Sequence, residues 1–270
     1  MTQEQLNEST LILYEIIRKI NDNSLSLASL PDFIIKVNEA LTDDRKTIKD
    51  ISTIIQHEVS LSARIMRIAN SPALRGNSEI TSISHAIQRL GLALVKNLAI
   101  CVALTDRFTS TNLAHKLILD DILQQSIRIS VISYMIAEHM AKGVLPESAL
   151  VAGLVSKVGH LVTLRYLDDH PKYRSLNATE TGKLLECVGD EVTLHLLRKW
   201  DFPIEILDFL YGIDPESTEN LTRKGSFNLT HSYLRCVDDN LPMTGLCVVV
   251  DSLVREHHEE LDSLRSVLPN

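Results

Sequence analysis

Apolar residues recur along this chain with a helical period. Leu13, Ile16, Ile17 and Ile20 fall at i, i+3, i+4 and i+7, and Phe33, Ile34, Val37 and Leu41 continue the pattern. Thr47-Ile48-Lys49-Asp50 has the form of a capping box with a shortened acid, ahead of Ile51 and Ile55. Ser60 reads as the cap of a helix carrying Leu61, Ile65 and Ile68 and ending at Asn70-Ser71-Pro72. A polar loop over 74–81 comes next, then helical spacing at Ile83, Ile87 and Leu90 and from Leu92 to about Leu104. The polar stretch 105–112 reads as a connection between two halves.

In the second half, 119–140 predicts one long helix, and Pro146 suits the first turn of another running from 147 to about 167. Shorter helices are expected over 181–188, 190–200 and 203–211. A turn-rich loop over 212–225 precedes helices over 226–238 and 246–264. No stretch alternates strictly and no hairpin signal occurs, so the expected fold class is all-α with roughly ten to twelve helices.

Composition narrows the function classes. The 270 residues are 44% hydrophobic and 23% charged, and the length suffices for a large core without disulfide or metal staples. Lys plus Arg is 27 against 35 for Asp plus Glu, a formal charge of −8 that argues against a broad nucleic-acid or acidic-membrane surface. No secretory signal and no long uncharged apolar run is visible, and Cys101, Cys187, Cys236 and Cys247 are scattered. The expectation is a cytoplasmic protein with reduced core cysteines.

Candidate chemistry is sparse. None of the ten histidines has a histidine one helical turn away, and no nucleophile elbow or phosphate loop occurs. His160, His195 and His231 sit among apolar residues and read as satisfied or half-exposed core histidines; His257-His258-Glu259-Glu260 reads as a solvated face. The acid pairs Asp43-Asp44, Asp120-Asp121, Asp168-Asp169 and Asp238-Asp239 read as caps or surface charge. The segment 48–70 has a helix-turn-helix outline exposing Ser62, Arg64 and Arg67, but its net charge over 47–70 is only +1, too little for phosphate contacts.

The same segment carries a family pattern. Leu30-Pro31, Ile54-Ile55-Gln56-His57, the run Leu61 to Ser71, and Ser82 to Gly91, followed by Ala149 to Leu154, Gly159 and Trp200-Asp201-Phe202-Pro203, resemble the HD-related output domain (HDOD) family over about residues 25–215. The resemblance implies a multi-helical fold. An N-terminal helix (1–24) would precede a helical part (25–112), a part related to HD-type metal phosphohydrolases (113–215), and C-terminal helices (216–270) packed on the latter. It also implies which metal ligands would be present in a full HD site. Here their positions hold Gln125, Ser156-Lys157, Gly189 and the vicinity of Ile213-Asp214. Lysine in place of a carboxylate removes a ligand and adds repulsion toward a cation.

The resemblance thus implies a bacterial, non-catalytic signal-transduction module without cofactor, and without a receiver or kinase domain of its own. Its partner would be a separate signalling protein or a second copy, met through Arg64, Arg67, Asn70, Ser71, Gln88 and Arg89. The alternatives are a phosphohydrolase with substituted ligands, drawing on His160 or His195, and a nucleotide sensor without turnover, with Lys157 facing phosphate. Gly153 and Gly159, inside a helical pattern, each cost about 1 kcal/mol relative to Ala, which points to close helix packing or a local break.

Overall fold

A computed structural model describes residues 3–25, 36, 39–40, 45–70, 78–92, 95–96, 98–99, 113–141, 143–211, 223–238 and 246–267. Among these residues the chain is helical and contains no strand. The helices named here are α1 (Gln3–Asn21), α2 (Ile48–Gln56), α3 (Val59–Ala69), α4 (Ile83–Leu90), α5 (Leu113–His139) and α6 (Pro146–Val155). They continue with α7 (Val158–Asp169), α8 (Ala178–Lys199), α9 (Ile204–Tyr211), α10 (Arg223–Asp238), α11 (Leu246–Glu256) and α12 (His258–Val267). The expectations for 71–77, 100–112 and 212–222, Ser71 and Ile213-Asp214 included, lie outside the described residues.

The helix α5 is the axis of the molecule. From Ile127 to Ala137 nearly every side chain is buried, so it must be covered on all sides. The helices α6, α7, α8, α10, α11 and α12 all pack on it. The helix α1 lays Ile12, Ile16 and Ile20 against α8. Its end is held there by Lys199, whose ammonium donates to the Ile20 carbonyl and to Asn23 Oδ1 at 2.6 Å. The short helices α2, α3 and α4 pack on one another through Ile51, Ile55, Ile65, Ile68, Ile83 and Ile87. The helix α12 reaches α3 as well as α5, so the C-terminal helices touch both parts of the chain.

Local signals explain several boundaries. The Thr47–Asp50 capping box starts α2, with Thr47 N–H donating to Asp50 Oδ2 at 2.8 Å. Ser60, expected as a cap, is instead inside α3, whose N-cap is Glu58 without a side-chain bond. Asn70 ends α3, and its amide brackets the backbone of Ile80: Nδ2 donates to the Ile80 carbonyl and the Ile80 N–H donates to Oδ1, both at 2.7 Å. Trp200 closes α8 with the Phe202 N–H on the Leu197 carbonyl and Asp201 in the left-handed region at φ 54°.

Two expectations about helix continuity reverse. The predicted helix over 147–167 is two helices, broken at Ser156-Lys157. The Ser156 hydroxyl donates to the Gly153 carbonyl at 2.7 Å. That competes with the helical ladder, and the carbonyl of Ser156 is met by Thr193 Oγ1 at 3.4 Å. Conversely, the separate helices predicted on either side of Gly189 are one helix, α8, which runs straight through it. Among the described residues, 146–169 together form one stretch long and apolar enough to cross a membrane, but most of it is buried in the core.

Both internal glycines mark close packing. A Cβ on Gly153 would strike the backbone of Ser130 on α5, and one on Gly159 would strike Gly189 and Thr193 on α8. In the gap, the Gly159 N–H donates to Thr193 Oγ1 at 2.9 Å. Of the cysteines, Cys187 is exposed rather than buried, because α8 presents it on its outer face.

Candidate functional site

The helix break at Ser156-Lys157 creates the site. It lifts Lys157 to the N-cap of α7 and turns it toward α5, α8 and α10. Two adjoining cavities of about 240 Å³ each share Lys157 and His231 as walls. One continues along Gln125, Arg128, Leu234, Arg235 and Asp238. The other continues along Ser156, Asp190, Glu191, Leu210 and Tyr211. Residues 125, 156 and 157, expected to mark a substituted metal site, therefore line one cleft.

Gly189, the fourth of that set, is not among the residues that line the cleft; it packs against the His160 ring. A Cβ there would sit 2.4 Å from Nδ1 of His160, so the ring rests on the glycine. His160 is only 6% exposed. Its Nε2 lies 3.3 Å from the Lys157 ammonium, which donates to it, and 3.9 Å from Asp190 Oδ1. This leaves the ring proton on Nδ1, a buried atom with no hydrogen-bond partner. Burial, and secondarily the Lys157 charge, hold its pKa down at about 3, so the imidazole is neutral at neutral pH. Tyr211 donates to the Asp190 carbonyl at 3.1 Å, and burial with the Asp190 charge pushes its hydroxyl above the usual phenol range.

Other expected residues fall elsewhere. His195 is half-exposed, with Nδ1 2.9 Å from the Glu191 carbonyl. His231, expected as a core histidine, is half-buried and stands where both cavities meet. His257 is half-buried and stacks on His139 at 4.6 Å, while His258 and Glu259 face solvent. Asp168 is not surface charge: it bonds the fully buried His115, whose Nε2 approaches Thr181 Oγ1 at 3.4 Å. That pair joins the C-terminal end of α7 to the starts of α5 and α8, roughly 16 Å of helix away from Lys157. Asp169 pairs with Arg165 at 3.1 Å on the surface.

In the N-terminal part, Arg67 and Gln88 are exposed and Arg64 is half-buried. Arg89 is exposed, and its guanidinium donates to the carbonyl and hydroxyl of Ser78. Ser62 donates to the Ile55 carbonyl at 2.8 Å, so the helix-turn-helix outline spends one of its three expected polar contacts internally. Asn70 is likewise occupied with Ile80 and contributes structure at that place.

The HDOD domain model matches residues 27–211. The chain belongs to the HDOD family. The structure of a candidate metal-dependent phosphohydrolase from Shewanella amazonensis SB2B superposes with a TM-score of 0.72 at 19% identity, covering 97% of this chain and 99% of that one. A candidate signal transduction protein from Marinobacter aquaeolei VT8 superposes with a TM-score of 0.60 at 18% identity, covering 96% of this chain and 65% of that one. An HDOD domain protein with unknown function from Geobacter sulfurreducens gives 0.52 at 19% identity, covering 91% and 97%. These likenesses are of fold. An uncharacterized protein of Treponema pallidum (strain Nichols) is 22% identical over 209 residues, and the match takes in 74% of this chain but only 39% of that relative's length.

The cleft of this HDOD chain does not fit the divalent metal of an HD phosphohydrolase. Among the described residues no three His, Cys, Asp or Glu side chains converge. Lys157 sets an ammonium in the cleft, which repels a cation, and the His160 lone pair that could bind a metal already accepts from it. Periodicity could not have found His231 in the cleft, since only the packing of α10 on α5 brings it there.

Proposed function

We propose that this HDOD chain is a non-catalytic signalling module of the bacterial cytoplasm that acts through contact with a separate protein or a second copy of itself. The observation that carries the reading is Lys157. Its ammonium lies in the cleft, 3.3 Å from Nε2 of the neutral His160 ring, and the family resemblance aligns it with a ligand position. A hydrolytic HD centre needs a metal cation in that space, and a fixed positive charge there opposes its binding. Exposed Arg67 and Gln88, on α3 and α4, offer the partner surface.

The test is made on untagged protein grown with Mn, Fe and Zn supplied. Elemental analysis should find well under one equivalent of metal, and bis(p-nitrophenyl) phosphate should not be turned over. Near-stoichiometric metal with turnover would overturn the non-catalytic reading. For the surface, the double variant Arg67→Glu, Gln88→Glu should keep the helical spectrum and lose its co-purifying partner or its self-association. Unchanged association would remove these residues from the interface.

A further inference from the structure

The two halves of the cleft are opposite in charge. One is lined by Arg128, Lys157 and Arg235 against a single carboxylate, Asp238. Arg128 is committed to Asp238 at 2.6 Å, and Lys157 adds a further positive charge to this half in a chain whose formal charge is −8. Among the described residues Lys157 has no carboxylate within ion-pair distance. Its contact is a buried imidazole that stays neutral and so supplies no counter-charge. The start of α7 adds the positive end of a helix dipole at the same point. The Gln125 amide and the His231 ring complete the wall with groups able to hydrogen-bond.

The other half carries Asp190 and Glu191, which only accept hydrogen bonds, beside the ring of Tyr211 and the side chain of Leu210. A molecule filling both halves needs an anionic end, a planar or apolar body, and hydrogen-bond donors at the far end. Together the halves reach the lower part of the roughly 300–1,000 Å³ range of small-molecule pockets.

We propose that this cleft binds a purine mononucleotide as a regulatory ligand, its phosphate on Lys157 and its base against Tyr211, with ring N–H donors on Asp190 or Glu191. The proposal rests on the reading that the cleft holds no catalytic metal. Guanine matches it well, because its adjacent N1–H and exocyclic N–H donors span the two oxygens of one carboxylate. The ligand would tie α7 and α8 to α10 across Lys157 and His231, a connection through which occupancy could reach a partner-facing surface.

Titration calorimetry of the full untagged chain in EDTA, with GMP and with inorganic phosphate as probes, tests it. GMP should bind, and phosphate should bind more weakly and compete. Lys157→Met should weaken both roughly tenfold or more, the scale of one charge-assisted contact. Asp190→Asn, at a mostly exposed side chain, should weaken GMP while leaving phosphate unchanged or tighter. No heat with either probe at millimolar concentration would overturn the proposal, as would GMP affinity unaltered in a natively folded Lys157→Met protein. Those failures leave the non-catalytic reading standing. Metal uptake with nucleotide hydrolysis would overturn both.

Discussion

Replacing Gly159 by alanine adds one methyl group at a close crossing of α7 and α8. The new Cβ would lie 2.6 Å from Thr193 Oγ1 and nearer still to the Gly189 carbonyl and the Thr193 nitrogen. Two of these three are backbone atoms, which no rotamer change can move. Ordinary carbon contact distances require α7 and α8 to separate by roughly 1 Å. Overpacking of that kind costs about 1–3 kcal/mol. Separation also stretches the two bonds that reach Thr193 Oγ1 from outside α8, the Gly159 N–H at 2.9 Å and the Ser156 carbonyl at 3.4 Å. Each is worth about 0.5–1.5 kcal/mol. Alanine returns about 1 kcal/mol of helix propensity. The expected net loss is about 2–4 kcal/mol, or a fall in Tm of roughly 5–15 °C for a chain of this size. Gly182→Ala is the control. It lies in the same helix α8 as Thr193, and an added Cβ meets nothing within 4 Å, so it should leave Tm unchanged or raise it. Thermal unfolding followed by circular dichroism at 222 nm decides the matter. Equal Tm for Gly159→Ala and wild type would refute the close-approach argument, as would equal losses in the two variants.

The pH dependence of stability should carry the mark of His160. Its folded pKa is pushed down to about 3, first by burial and then by Lys157, from an ordinary 6.5. Below pH 6.5 the unfolded chain therefore binds a proton that the native ring refuses. The contribution is fully present above that pH and is lost as pH falls toward 3, at up to about 1.4 kcal/mol per pH unit. Urea unfolding from pH 7 to 4 should show His160→Gln losing less stability on acidification than wild type; parallel curves would refute it. Asn70→Ala should cost about 2–4 kcal/mol, because both backbone groups of buried Ile80 lose their partners, and Asn70→Asp, which keeps only the acceptor, should fall between. A loss under about 0.5 kcal/mol for the alanine variant would show that water replaces the amide. Cys187 should react with a thiol reagent in native protein at the rate of an accessible thiol, and protection until unfolding would contradict its exposed place on α8.

Much of this protein is local in origin, and that much the sequence determined alone. Helical periodicity placed Ile16 with Ile20, Ile51 with Ile55, and Ile83 with Ile87 on buried faces, because a side chain's face depends only on its position in a 3.6-residue turn; it missed Ile12, which is buried where Leu13 and Ile17 are half-buried. The Thr47–Asp50 box and the Trp200 terminus were equally legible, since a cap is a matter of four to six consecutive residues. Gln125, Ser156 and Lys157, which the family pattern singles out, line the two adjoining cavities, although 31 residues or more separate the first from the others.

What tertiary structure decided was the meaning of those positions. Gly189 looks like a helix breaker in sequence, yet α8 continues through it, because the residue is small for the sake of the His160 ring on the facing helix. The pattern over 147–167 looks continuous, yet it breaks, because Thr193 and the Ser156 hydroxyl satisfy the freed backbone groups. His231 resembles any core histidine until α10 packs on α5, and Asp168 resembles surface charge until His115 is buried beside it. Each depends on atoms far apart in sequence meeting at a few ångströms, and a one-dimensional period holds no information about which helices meet.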